Sequence, residues 1–78
     1  MAGLMGNPLG NRTALSNKDA NTITESGLYY VGAGNTNIAN YGYLLVLKFS
    51  SASDVIQVFW KHGGGMQYRQ IGGSWITL

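Results

Sequence analysis

The chain has 78 residues, no cysteine, one histidine and only eight charged side chains, with a formal net charge of +2. This composition provides no disulfide, no thiolate metal site and no basic run for nucleic acid, and no apolar stretch reaches the roughly 18 residues of a membrane span. Because so short a chain buries little apolar surface, we expect one domain that depends on further chains for stability.

The first third of the chain differs in composition from the rest. Residues 1–26 are rich in Asn, Gly, Ser and Thr and carry only isolated apolar side chains. We predict that residues 1–18 form a linker or N-terminal segment, followed by a β domain over residues 19–78. A helical turn is expected within residues 16–23, where Ser16 or Asn17 is suited to cap it.

From residue 27 onwards, apolar runs alternate with glycine-rich and serine-rich breaks. Five runs are predicted as strands, at residues 28–31, 41–49, 55–61, 67–71 and 75–78. Their connections are short, which favours antiparallel pairing of successive strands. We therefore predict an all-β fold, a small antiparallel β-meander or sandwich-like knob of four to five strands with little or no helix.

The longest predicted strand, residues 41–49, is apolar on both faces. Leu44 and Val46 alternate with Leu45 and Leu47, so the strand is either central and covered on both sides or covered by another subunit. In a purely structural role, we expect Leu44 and Val46 to be covered by that neighbour. Gln57 lies within another apolar strand and requires a hydrogen-bond partner if it is buried.

No residue pattern indicates catalysis. Asp19, Glu25 and Asp54 each fall in a predicted loop or turn, and none pairs with another acid at a spacing that places both on one face. His62 adjoins a glycine-rich turn without a nucleophile motif, and no glycine-rich segment precedes a helix as a phosphate loop requires. We therefore expect no enzymatic activity, no cofactor and no metal.

Aromatic side chains with polar tips are abundant, and Asn and Gln accompany them. Flat rings can pack on the C–H faces of sugars while amide groups bind the hydroxyls, although the same rings are also natural core residues. The aromatic residues concerned are Tyr29, Tyr30, Tyr41, Tyr43, Trp60, Tyr68 and Trp75. As a tentative carbohydrate site we select Trp60, Tyr68, Arg69, Tyr41 and Asn40.

The order of several motifs resembles the small knob modules that recur in the tail fibres of phages and R-type pyocins. Residues 19–23 (DANTI) and 27–31 (GLYYV) are similar to the D-x-N-x-[IL] and G-x-Y opening of these modules. An apolar central strand, a strand similar to the I-x-Q-hydrophobic pattern with Val55 in place of the Ile, an aromatic-Arg strand and a closing G-x-W follow in order. These are residues 43–47, 55–59, 66–70 and 73–75, so the resemblance covers residues 19–76.

The resemblance implies a homotrimeric tail fibre or tailspike of a virion, synthesised in the host cytoplasm, that attaches to a bacterial host. Its target would be a surface polysaccharide, either lipopolysaccharide or capsule. The absence of a secretory pattern in the first 15 residues agrees with cytoplasmic synthesis. Two alternatives remain. One is a spacer, trimerisation or folding module without a ligand. The other is an enzyme fragment, such as the terminal part of a polysaccharide-degrading tailspike whose active site lies elsewhere, for which Asp19, Glu25 and Asp54 would be expected to meet in one cleft.

Overall fold

The computed structural model describes residues 13–78, which form one six-stranded sheet in which strand order follows chain order. Strand β1 is parallel to β2, and every later neighbouring pair is antiparallel. The strands are β1 (Thr13–Leu15), β2 (Gly27–Val31), β3 (Gly42–Lys48), β4 (Val55–Lys61), β5 (Met66–Gln70) and β6 (Ile76–Thr77). The predicted all-β meander is therefore confirmed, and the five predicted strands correspond to β2–β6.

Strand β1 was not predicted, and it lies inside the segment that we expected to be a linker. It has only three residues, too few for an alternating pattern to be recognised, and it pairs in register from Thr13 with Tyr29 to Leu15 with Val31. The remainder of the expected linker, residues 1–12, lies outside the described residues.

The helical turn between β1 and β2 is a single 3₁₀ turn, Ala20–Thr22. Its cap is Asp19, whose carboxylate accepts a hydrogen bond from the Asn21 N–H at 2.9 Å, so the prediction of Ser16 or Asn17 is wrong. Asn17 has instead a left-handed backbone, with φ of 57°, and donates its N–H to Ala33 O. The segment before β2 is therefore hydrogen-bonded to the segment after it.

One face of the sheet, here called the inner face, carries the hydrophobic core. The buried apolar residues on it are Leu15, Val31, Leu44, Val46, Val55 and Phe59. Ile23, Ile38 and Trp75, which lie between the strands in sequence, pack over this cluster. The chain thus covers Leu44 and Val46 with its own loops, which corrects the expectation that a neighbouring subunit would cover them.

The opposite side, the outer face, is apolar as well. Strand alternation and register place on it Ala14, Leu28, Tyr30, Tyr43, Leu45, Leu47, Ile56, Val58, Trp60, Met66, Tyr68, Gln70 and Ile76. These side chains are half-buried or exposed, because no other segment of residues 13–78 packs over them as a second layer. The outer face is therefore the surface on which a binding function has to be sought.

Candidate ligand-binding surface

Three exposed aromatic residues form a row across the outer face, here called the aromatic row. Tyr30, Tyr43 and Trp60 are direct cross-strand partners on β2, β3 and β4. Their exposed fractions are 38%, 41% and 42%. The rings of Tyr30 and Tyr43 meet edge to face, with centroids 5.5 Å apart, an arrangement that aromatic pairs prefer. The row thus presents several ring edges and faces to solvent side by side.

An aliphatic surface, here called the aliphatic band, adjoins the aromatic row further along the strands. One set of cross-strand partners runs through Leu28, Leu45, Val58, Tyr68 and Ile76, and the next contains Leu47 and Ile56. Together with the aromatic row, these residues carry no charged side chain. A continuous uncharged apolar surface is the type of surface on which proteins commonly associate with other molecules.

The loop before β3 brings two of the predicted site residues to the same end of the sheet as Trp60. Asn40 and Tyr41 are both exposed, and the carbonyl oxygen of Tyr41 accepts a hydrogen bond from the N–H of His62 at 2.9 Å. His62 follows β4 directly, two residues after Trp60. The Tyr41 backbone therefore lies next to the end of β4 that carries Trp60, and the tentative site stays a prediction.

Tyr41 has a strained backbone. Its φ is 65°, in the left-handed region, which bulky side chains rarely adopt. Such a conformation costs on the order of 1–2 kcal/mol and is concentrated at functional positions. Hydrogen bonds of its N–H to Gly32 O and of its carbonyl to His62 hold the conformation. This backbone conformation is the reason to consider Tyr41 as a functional residue, and it could not be predicted from the sequence alone.

Tyr68 and Arg69 are adjacent in sequence but lie on opposite faces of the sheet. Tyr68 lies half-buried in the aliphatic band, where it pairs with Val58 and Ile76. Arg69 is only 3% exposed and lies on the inner face. Because neighbouring side chains of a strand point to opposite faces, Arg69 cannot contact a ligand on the aromatic row. The assignment of Arg69 to the carbohydrate site is therefore corrected.

Arg69 belongs instead to a buried polar clamp with Gln57, which is fully buried. The Arg69 Nε–H donates to Gln57 Oε1 at 2.8 Å, and Gln57 Nε2 donates to the carbonyls of Ala20 at 2.8 Å and Ile23 at 3.1 Å. The clamp joins β5 and β4 to the 3₁₀ turn. Gln57 thus has the partners that its burial requires, and it binds the opening segment to the sheet.

The guanidinium of Arg69 makes two further contacts, with a backbone carbonyl and with an aromatic ring. Its Nη1 donates to Gly73 O at 3.1 Å, and its Cζ lies 4.7 Å from the centroid of the Trp75 ring, a cation–π distance. Burial lowers the pKa of Arg69, and the negative charge of Asp19 opposes that shift. Trp75 in turn donates its indole N–H to Asn37 O at 2.8 Å, which connects the last turn of the chain to the loop between β2 and β3.

Asp19 is held as a carboxylate by this arrangement. Its Oδ1 accepts from Asn37 Nδ2 at 2.7 Å and from the Asn21 N–H, and the positive charge of Arg69 adds a weaker attraction. These hydrogen bonds, led by that from Asn37, hold the pKa of Asp19 below its ordinary value of 3.8.

The lowered pKa of Asp19 predicts a measurable dependence of stability on acid. A carboxylate with a lower pKa in the folded state adds stability that is complete above the unfolded pKa and is lost as pH falls through the folded pKa. We expect wild type to exceed Asp19→Asn in Tm at pH 7, and the difference to shrink below about pH 4. Thermal scans of both proteins over this pH range test the prediction. A constant difference would contradict it, since Glu25 and Asp54 are common to both proteins.

The three carboxylates do not converge on one cavity. Glu25 pairs with Lys48 at 3.0 Å, Asp54 accepts from the Ser50 hydroxyl at 3.4 Å, and Asp19 lies beside Asn37. Within residues 13–78, no group of three His, Cys, Asp or Glu side chains is arranged to hold a metal ion. The same residues contain no helix that is long and apolar enough to span a membrane. The enzyme-fragment alternative therefore has no geometric support in this part of the chain.

Sequence reasoning placed Tyr30 and Tyr43 among the aromatic residues but did not select them for the site. Their position beside Trp60 depends on the register of β2 against β3 and of β3 against β4, because the register determines which residues are cross-strand partners. The available signal was the alternation within residues 41–49, which puts Tyr43 on the face of Leu45 and Leu47.

Residues 13–78 define a single-sheet β module with one face covered by its own loops and one apolar, aromatic face that no other segment of these residues covers. No protein-family model, curated protein or solved structure matches the chain. The resemblance to tail-fibre knobs therefore stays a prediction from sequence motifs.

Proposed function

We propose that the chain is a module of a phage-type tail fibre or tailspike that contributes to attachment to a bacterial surface polysaccharide, lipopolysaccharide or capsule, without an enzymatic step. The observation that carries the proposal is the exposed aromatic row beside the strained residue Tyr41. The order of sequence motifs that resembles tail-fibre knobs supplies the biological setting. In that setting the chain is part of a virion and associates with further copies, three in the homotrimer that the resemblance implies.

The surface suits a neutral polar polymer better than a charged one. Sugar rings present C–H faces that pack on Trp60, Tyr43 and Tyr30, and their hydroxyls need amide or phenol partners, which Asn40 and Tyr41 offer at the end of the row. No charged side chain lies in the aromatic row. Binding on this surface therefore depends on ring contacts and hydrogen bonds, and we expect it to be insensitive to salt.

A second candidate function is a structural module of the fibre that joins chains and has no ligand of its own. The aliphatic band favours it, because Leu45, Val58 and Ile56 offer dispersion contacts but no hydrogen-bonding group for a sugar. The two functions can coexist on one sheet, since the aromatic row and the aliphatic band are neighbouring but separate parts of the outer face.

The attachment function is tested by binding of the purified chain to lipopolysaccharide and capsule fractions and to whole cells. We expect Trp60→Ala and Tyr41→Ala each to weaken binding about tenfold or more, which is the effect of losing a principal aromatic contact. Their Tm values and oligomeric masses should match those of wild type.

Phe49→Ala is the matched control for these variants. Phe49 is 64% exposed and follows β3 at the end opposite to Tyr43, so its loss should leave binding unchanged. The proposal is overturned if wild type binds no envelope polysaccharide, or if Trp60→Ala and Tyr41→Ala bind as tightly as Phe49→Ala.

A further inference from the structure

One nitrogen of the buried clamp has no protein partner. Arg69 is only 3% exposed, its Nε–H donates to Gln57 Oε1, and its Nη1 donates to Gly73 O. Its Nη2 is buried as well, and no group of residues 13–78 accepts a hydrogen bond from it. A guanidinium offers five N–H donors, and a buried donor on a charged group loses its hydration unless an acceptor replaces it. Nη2 therefore requires an acceptor on the inner face.

Asp19 supplies the negative charge that acts on Arg69, but the two side chains are not in direct contact. Asp19 opposes the fall in the pKa of Arg69 that burial causes. Arg69 adds to the fall in the pKa of Asp19 that its hydrogen bonds cause, led by that from Asn37. Among residues 13–78, the only nitrogen–oxygen ion pair within 4.0 Å is that of Lys48 with Glu25. The guanidinium and the Asp19 carboxylate thus attract each other across a gap longer than one hydrogen bond.

Two chains of contacts join the guanidinium to the carboxylate around this gap. On one side, the guanidinium donates to Gln57, whose amide donates to the carbonyl of Ala20, the residue after Asp19. On the other side, its Cζ lies 4.7 Å from the centroid of the Trp75 ring, whose indole N–H donates to Asn37 O. The Asn37 amide in turn donates to the carboxylate at 2.7 Å. Bringing the two charges into contact would disturb these bonds.

The polarity of the gap favours a water molecule over an ion. A water oxygen accepts from an N–H and its hydrogens donate to a carboxylate, so that one molecule spans roughly 5–6 Å between the two groups. An anion at Nη2 would lie close to the negative charge of Asp19, and a cation beside Asp19 would lie close to the guanidinium. Buried waters in globular proteins commonly bind polar groups that the chain leaves without partners.

We propose that a buried water molecule binds at Arg69 Nη2 and bridges it to the carboxylate of Asp19. The water accepts a hydrogen bond from Nη2 and donates one to Asp19. It gives β5 a second connection to the segment that contains the 3₁₀ turn, beside the connection through Gln57. The site lies on the inner face, and it does not depend on binding of a polysaccharide to the outer face.

A crystal structure of the full chain that shows ordered waters tests the proposal. We expect a water oxygen within about 3.2 Å of Arg69 Nη2 and of a carboxylate oxygen of Asp19. In solution, the guanidinium protons of Arg69 should show a nuclear Overhauser contact with a long-lived water. Asp19→Ala removes the acceptor and should abolish that contact. Asp54→Ala is the matched control, because it deletes a carboxylate that accepts from Ser50 instead, and it should retain the contact.

Three results overturn the proposal. In the first, the crystal structure shows Arg69 Nη2 bonded directly to Asp19, or shows no water within hydrogen-bond distance of Nη2. In the second, crystals soaked in bromide give an anomalous peak at Nη2, which assigns the site to a small anion. In the third, Asp19→Ala retains the contact with the long-lived water. If Asp19→Ala does not fold, the crystal structure of wild type decides between the water and its alternatives.

Discussion

Gln57→Leu is expected to unfold this domain or to lower its Tm by more than about 15 °C. The substitution removes the acceptor of the Arg69 Nε–H and the donor to the carbonyls of Ala20 and Ile23, all at a fully buried position. Removing one member of a buried charged network costs about 3–5 kcal/mol, because the remaining groups are left without partners. For a domain of this size each kcal/mol corresponds to roughly 4–8 °C. Thermal scans followed by near-ultraviolet circular dichroism measure the change.

Gln70→Leu is the control for this prediction, since Gln70 is exposed on the next strand. Its Tm should lie within a few degrees of wild type, as expected for most surface substitutions. A further test is the double variant Gln57→Leu with Arg69→Leu, which no longer leaves a buried charge unpaired. It should lose less stability than the sum of the single variants. Equal Tm values for Gln57→Leu and Gln70→Leu would refute the clamp.

The second large effect is expected at Phe59, the largest fully buried side chain of residues 13–78. It lies on β4 at the centre of the inner face, and its ring centroid is 6.0 Å from that of Trp75. Phe59→Ala removes the ring and leaves a cavity that the flanking strands cannot close, at a cost of about 3–5 kcal/mol. Urea denaturation should show the loss as a midpoint near zero denaturant, because the cost is comparable to the whole stability expected of so small a core.

Phe49→Ala provides the comparison for Phe59→Ala, because it deletes the same ring from a mostly exposed position. We expect the free energy of unfolding of Phe49→Ala, measured by urea denaturation, to differ from that of wild type by no more than about 0.5 kcal/mol. Both proteins have to be measured at one chain concentration, since association makes apparent stability depend on concentration. If both variants were equally stable, the inner face would not be the core.

The two faces of the sheet have different tasks. The inner face holds the loops in place through the apolar cluster and the Gln57–Arg69 clamp, and the loop before β3 brings the Tyr41 backbone next to the end of β4. The outer face is not covered by any segment of residues 13–78, and it contains three exposed aromatic residues and an uncharged aliphatic band. Variants of the inner face should therefore change stability first, and variants of the outer face should change binding or assembly.

The sequence by itself determined the all-β class, the ends of the central strands and the alternation within them. Residues 55–61 are identical to β4, and the burial of Val55, Gln57 and Phe59 follows from the alternation that the sequence shows. The glycines at 63–65 all have positive φ, which the turn between β4 and β5 requires and which other residues rarely adopt. These features are local, because they depend on side-chain period and backbone sterics over a few residues.

Only the tertiary structure decided which face of each strand is covered and which aromatic residues meet. Alternation in β3 distinguishes Leu44 from Leu45, but both are leucine, so no local signal says which one the loops will cover. Strand alternation already puts Tyr68 and Arg69 on opposite faces, but only the tertiary structure decided that the face of Arg69 is the covered one. Strand β1 was likewise decided by its pairing with the distant strand β2, which a residue's own neighbours do not encode. The cap Asp19 is different, because its hydrogen bond to the Asn21 N–H is local.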